Sequence, residues 1–214
     1  MAKKITTVKK QAPLPKSLLK EARVIIKDRW NYLGQNYQVQ EQIIDLLFKK
    51  KNLCNNDANI VRTKAATINI FYSTHVQAIS KISQAIVNLN IDSRLSNGDI
   101  TLVPDIAKAA NVSRRFCSFA SKYCAAHNPD AFPIYDRLVR LYLAKVIAKG
   151  NLAGYMYNQT TADTKLHDYR YYVEVYNAFM KQYKLTSLSY RQMDWYIWTA
   201  CKSKLANLDL FKLI

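Results

Sequence analysis

Pro104-Asp105-Ile106-Ala107-Lys108-Ala109-Ala110-Asn111-Val112-Ser113-Arg114-Arg115-Phe116-Cys117 has the layout helix, three-residue turn, helix, with Asn111-Val112-Ser113 as the break. A hairpin of this kind turns backbone N–H groups outward at the start of its second helix. There the helix dipole and the adjacent Arg114 and Arg115 favour a phosphate. An ordinary corner between two helices with solvated arginines accounts for the same residues.

Outward from this stretch, helical periodicity dominates. Leu18, Leu19, Ala22, Val24, Ile25 and Trp30 give one amphipathic segment, and Val39, Ile43, Ile44, Leu46, Leu47 and Phe48 a second, separated by Leu33-Gly34-Gln35-Asn36. Asn55-Asn56-Asp57 caps one long third segment that runs through Ile60, Ile68, Ile79 and Ile82 to Ile86. Residues 92–99 read as a loop, and helices are expected at about 104–110, 113–127, 136–148, 164–184 and 190–205. Strict alternation never persists, so the fold class is all-α. Residues 1–15, with Lys3, Lys4, Lys9, Lys10, Pro13 and Pro15, read as a flexible basic arm. Residues 16–214 read as a single helical domain in which both ends pack as a second lobe beside a central part at about 57–148.

Composition narrows the function classes. The chain has 214 residues, 50% of them hydrophobic, and 32 Lys and Arg against 15 Asp and Glu, for a net charge of +17. That is enough chain for a core, and its charge favours a polyanionic partner: nucleic acid first, an acidic membrane surface second. Four glycines leave no Gly-rich phosphate loop of the dinucleotide-fold or P-loop type. Cys54, Cys117, Cys124 and Cys201 contain no closely spaced pair. This points to a reducing, cytoplasmic setting with no disulfide framework, no metal site and no cofactor. No leader or membrane-spanning run is expected.

Two further segments carry a resemblance. Phe132-Pro133-Ile134-Tyr135-Asp136-Arg137-Leu138-Val139 is similar to the segment after the second helix in the helix-hairpin-helix DNA glycosylases, with Tyr135 inserted before the Asp. Ile68-Asn69-Ile70-Phe71-Tyr72-Ser73-Thr74-His75-Val76 is similar to that superfamily's helix whose Gln enters the duplex, with Tyr72 at the Gln. The ordered pieces, from about 60 to 145, identify the chain as a divergent relative of the superfamily. In the hairpin, Asn111 and Ser113 stand where the family has glycines.

The resemblance implies a helical glycosylase-like fold and removal of a base from double-stranded DNA by a monomer, with Asp136 as the catalytic carboxylate. Cleaving an N-glycosidic bond builds positive charge on the sugar, which a nearby carboxylate stabilises. An Asp at a helix start is also where a structural N-cap belongs, and the two roles are compatible. The family's Schiff-base lysine falls at Arg115, whose guanidinium cannot be that nucleophile. The expected enzyme is therefore monofunctional and leaves an abasic site. Lys122 is the alternative nucleophile, or a phosphate contact, or a solvated residue.

A flipped base needs stacking faces and edge hydrogen bonds. Trp30, Tyr32, Tyr37, Tyr72 and Tyr135, with Asn69 and His127 as edge readers, are suited to the pocket or wedge, though most rings of such a chain belong to its core. Val112, Ser113, Arg114, Arg115, Arg137 and Arg140 are those for the DNA backbone. Tyr190-Arg191-Gln192-Met193-Asp194-Trp195-Tyr196 interleaves charge with rings and could stack bases, but its helical spacing suits burial, and it reads as scaffold. The substrate is a damaged base or the modified base of phage DNA, in which case the activity would serve antiviral defence. A binding protein for DNA or RNA without enzymatic activity, in which Asp136 is only a cap, is the competing reading.

Overall fold

The computed structural model describes residues 18–50, 54–109, 116–203, 205 and 208–214. The basic arm, and the turn holding Val112, Ser113, Arg114 and Arg115, lie outside the described residues. Among those described, every regular element is helical: α1 (Leu18–Leu33), α2 (Gln35–Asp45) running into a π-helical turn at Leu46–Lys50, α3 (Ala58–Phe71), α4 (Ile79–Asn88), α5 (Asp92–Ser96), α6 (Leu102–Ala109), α7 (Phe116–His127), α8 (Arg137–Ala148), α9 (Gln159–Lys165), α10 (Tyr169–Gln182), α11 (Tyr190–Lys202) and a final 3₁₀ turn (Asp209–Leu213).

The expected long third helix is two helices. After Phe71 the chain turns through left-handed Ser73 (φ 48°) and His75 (φ 57°). Asn69 holds this turn: its side chain accepts from Thr74 Oγ1 and Val76 N, both at 2.8 Å, and donates to Val76 O at 3.0 Å. Likewise 92–99 is not simply a loop. It contains α5, tied down by Arg94, which reaches Asp99 and Asp105 at 2.7 Å each and Thr101 Oγ1 at 2.8 Å. The segment expected at 164–184 divides into α9 and α10, because Asp168 caps α10 by accepting from Arg170 N at 2.8 Å and Tyr171 N at 3.2 Å.

Helix α7 is central and buried on nearly all faces, with Phe116, Phe119, Tyr123, Cys124 and even Lys122 inside. It packs on α6 and α3. Its small residues, Ala120, Ala125 and Ala126, let neighbours approach from several sides, which is why its sequence shows little amphipathicity. Helix α1 packs along α11, where Glu21 accepts from Tyr196 Oη at 2.5 Å and from the backbone N–H groups of Asp209 and Leu210 at 2.5 and 3.1 Å.

Where α3 meets α7, a buried polar cluster fixes the packing. Lys64 is fully buried, and its Nζ donates to Asn55 Oδ1 at 3.2 Å and lies 3.4 Å from His127 Nε2. Tyr123 Oη donates to the same Asn55 oxygen at 2.6 Å. Asn55 also donates to Asp92 through its backbone N–H, at 3.0 Å, and through its side-chain amide. His127, expected to read a base edge, is half-buried in this cluster, edge-on to Phe48 with ring centroids 4.8 Å apart.

Burial, then the Lys64 charge, push the His127 pKa from 6.5 down to about 3. The folded state therefore binds fewer protons than the unfolded one between those values, and stability falls as pH drops through this window. Each pH unit costs up to about 1.4 kcal/mol from this group. Urea unfolding as a function of pH is expected to show a shallower acid decline in His127→Gln than in the wild type; parallel declines would refute the linkage.

Candidate active site

A cavity of about 240 Å³ opens where α1, α2, the end of α3, α7, the start of α8 and α11 converge. Its wall brings together Trp30, Tyr37, Tyr72, Lys122 and Asp136 from the expected residues, and adds Glu41, Arg191, Asp194, Trp195 and Trp198. All three tryptophans of the chain are in it. This size suits a single heterocycle better than an extended ligand.

At one side of the cavity lies an ion pair, with Lys122 Nζ 3.5 Å from Asp136 Oδ2. Lys122 is 5% exposed and also donates to Ser118 Oγ, one helical turn back, at 3.0 Å. Its ammonium lies 5.3 Å from the Tyr72 ring centre. The lysine is neither solvated nor on the outer surface. Asp136 is the N-cap of α8: its Oδ1 accepts from Leu138 N at 2.7 Å, and Oδ2 faces Lys122. The segment before it is held from both sides. Ser121 Oγ accepts from Tyr135 N at 2.9 Å, while Tyr169 and Tyr172 of α10 donate to Pro133 O and Ile134 O, each at 2.8 Å.

Opposite stands α11. Arg191, Asp194, Trp195, Trp198 and Lys202 follow helical spacing and form one stripe along the cavity. Arg191 pairs with Glu41 of α2, reaches Asp194 at 3.9 Å, and lies 5.8 Å from the Tyr72 ring centre. Burial works against its cation, but Tyr72, Glu41 and Asp194 outweigh burial and raise its pKa. Asp194 moves the other way. Burial pushes its carboxyl up to about 7; Arg191 opposes this, Asp136 reinforces it, and Lys122 and Glu41 add smaller effects of opposite sign.

The rings are set in place by a stacked cation. The Arg29 guanidinium lies 4.2 Å from the Trp30 ring centre and 3.9 Å from that of Trp195. Tyr37 meets Trp198 edge-on at 5.4 Å. Among the described residues, the buried Trp195 Nε1–H has no acceptor.

Several expected residues are elsewhere. Asn69 is spent on its turn, and Tyr135 packs edge-on against Tyr172 with centroids 5.1 Å apart, outside the cavity. Arg140 is buried and paired with Asp163 across to α9, so it does not face a backbone phosphate. Arg137 is exposed. Glu41, Arg191, Asp194, Trp195 and Trp198 were not expected; the signal for the last four was the interleaved 190–196 segment together with its continuation at Trp198. Among the described residues, no group of three or more His, Cys, Asp or Glu could hold a metal ion, and no helix is long and apolar enough to cross a membrane.

A family model described as "HI_0787_N: N-terminal domain" matches residues 18–131, just over half of the chain. The match contains Trp30, Tyr72 and Lys122 and stops before Asp136. An uncharacterized protein of Haemophilus influenzae (strain ATCC 51907 / DSM 11121 / KW20 / Rd) is 33% identical over 133 residues, which cover 61% of this chain and 60% of that protein. The chain thus matches less than two thirds of that relative's length. No solved structure matches.

The Lys122–Asp136 pair makes a thermodynamic prediction. Each of Lys122→Met and Asp136→Asn leaves a partner without its opposite charge and is expected to cost about 2 kcal/mol, less than a fully buried pair would lose. The double variant is expected to be more stable than the sum of the two by at least about 1 kcal/mol in urea unfolding. Simple additivity would show that the two groups do not interact.

Proposed function

The chain belongs to the HI_0787_N family, and from the geometry of its cavity we propose that it is a DNA glycosylase that draws one base out of the duplex and hydrolyses its N-glycosidic bond. The observation that carries this reading is the Lys122–Asp136 pair at 3.5 Å in a cavity lined by three tryptophans. The chain's surplus of +17 supports a nucleic-acid partner.

In this reading the everted base is held by the faces and edges of Trp30, Tyr72, Trp195 and Trp198, and the sugar lies towards Asp136. As the bond breaks, positive charge develops at C1′ and the ring oxygen. The Asp136 carboxylate stabilises that charge and orients the attacking water. The N-cap hydrogen bond fixes one carboxylate oxygen and Lys122 addresses the other, so the group is oriented before substrate arrives. The product is an abasic site.

The test is incubation of the protein with duplexes that carry damaged, hydroxymethylated or glucosylated bases, followed by assay of free base and abasic sites. Base release by the wild type is expected, with at least about a 10²-fold loss in Asp136→Asn. DNA binding by that variant, read from intrinsic tryptophan fluorescence and from its salt dependence, is expected to persist. Release confined to damaged bases would remove the antiviral reading. Salt-sensitive binding with no product on any duplex would favour the binding-protein reading, in which Asp136 serves only as the cap of α8. A borohydride-trapped adduct that disappears in Lys122→Met would replace water by Lys122 as nucleophile.

A further inference from the structure

Three carboxyl groups line the cavity; Glu41 is paired with Arg191, and the surroundings of the other two differ. Asp136 has an ammonium at 3.5 Å and accepts a backbone N–H at 2.7 Å. Asp194, on the facing helix, is buried, and among the described residues its one ion-pair contact is Arg191 at 3.9 Å, a guanidinium already engaged by Glu41. Two carboxyls on facing walls of one cavity, one paired with an ammonium and the other buried with only a distant, shared guanidinium, are the arrangement by which one acts as anion and the other as acid. Base departure needs an acid. The leaving nitrogen of a neutral base would otherwise carry off a full negative charge, and a positioned proton donor lowers that barrier.

We propose that Asp194 is the general acid of this site, protonating the departing base, and that the enzyme is thereby suited to neutral rather than cationic bases. This rests on the glycosylase reading. The C1′–N bond breaks and its electron pair stays with the base nitrogen. The Asp194 proton passes to a ring nitrogen or carbonyl oxygen of the base, which leaves neutral. Water forms the new C1′–O bond, its surplus proton passes by way of Asp136 to solvent, and the Asp194 carboxylate takes a proton back from solvent.

The groups that face Asp194 set its acidity. They are Arg191 on its own helix, Glu41 of α2, Lys122 of α7, Asp136 at the start of α8, Tyr72 at the end of α3, and Tyr172 and Tyr176 of α10. Their net effect with burial is a carboxyl that titrates at about 7. Neutral-base release should therefore decline as pH rises through that value, because the acid form is lost.

Single-turnover base release by wild type, Asp194→Asn and Asp194→Glu is measured from about pH 5 to about pH 9, on duplexes with neutral damaged bases and with 7-methylguanine, whose ring already carries the positive charge. For neutral bases, Asp194→Asn is expected to lose about 10²-fold or more and to lose the alkaline decline, while Asp194→Glu recovers part of both. Release of 7-methylguanine, already a good leaving group, is expected not to depend on Asp194. The proposal is overturned if Asp194→Asn releases neutral bases at the wild-type rate, or slows both classes equally with an unchanged pH profile, as a structural residue would. Absence of release by the wild type from every duplex overturns the glycosylase reading and this role together. Wild-type release with an unaffected Asp194→Asn overturns this role alone.

Discussion

The buried ion pair between Lys122 and Asp136 is the constraint around which the rest is arranged. An ammonium with 6% side-chain exposure and a carboxylate with 17% have both left water, and the molecule must supply what water gave them. It does so from three elements. Helix α7 contributes Lys122 and the Ser118 hydroxyl, α8 is capped by Asp136 so that the Leu138 N–H meets the carboxylate, and α10 clamps the preceding backbone with Tyr169 and Tyr172. Ser121, also on α7, accepts the Tyr135 N–H and completes the clamp. The carboxylate therefore owes its position to buried groups on both sides of a four-residue extended segment, which explains why a chain rich in tyrosine devotes two fully or nearly buried hydroxyls to carbonyls there.

The charge of the chain is divided between inside and outside. The cavity wall carries Lys122, Arg191 and Lys202 against Glu41, Asp136 and Asp194, three of each sign, so the surplus of +17 lies elsewhere in the chain. A balanced interior can hold carboxyls in different protonation states, because each feels a particular neighbour rather than a uniform positive field. A net charge of that size attracts polyanions at long range, an effect that salt weakens, while the paired groups of the cavity are sheltered from salt.

The sequence revealed the helical class through the absence of alternation, and it singled out Asp136, Lys122, Tyr72 and Trp30, which the fold brings to one cavity. The helix α11 is legible in it, but its place in the cavity wall is not, because Arg191, Asp194, Trp195 and Trp198 have the same helical spacing as a buried face. A stripe that lines a cavity and a stripe that packs a core differ only in what stands opposite. Arg140 and His127 show the converse: what a sequence leaves open for a basic residue or an imidazole depends on what stands against it, here Asp163 for the one and Lys64 and Phe48 for the other. Helix breaks were missed where the signal was a side chain rather than glycine or proline. Asn69 ends α3 by binding backbone groups several residues ahead, and a long-range bond of that sort has no local pattern.

That break shapes the cavity. Non-glycine residues with φ of 48° and 57° cost on the order of 1–3 kcal/mol each, and such strain persists only where the surroundings enforce it. Three hydrogen bonds of one Asn side chain enforce it here. Had the helix run on from Ile68 to Ile86 as its apolar spacing allows, Tyr72 and Ser73 would have continued around the helical barrel. Instead the chain stops, and Phe71, Tyr72 and Ser73 line the cavity while Ile70 stands 70% exposed one residue before them. The strained turn thus turns a core-packing helix into a wall of the site, and the Tyr72 ring it delivers lies against both Lys122 and Arg191, joining the two charged sides of the cavity through one aromatic face.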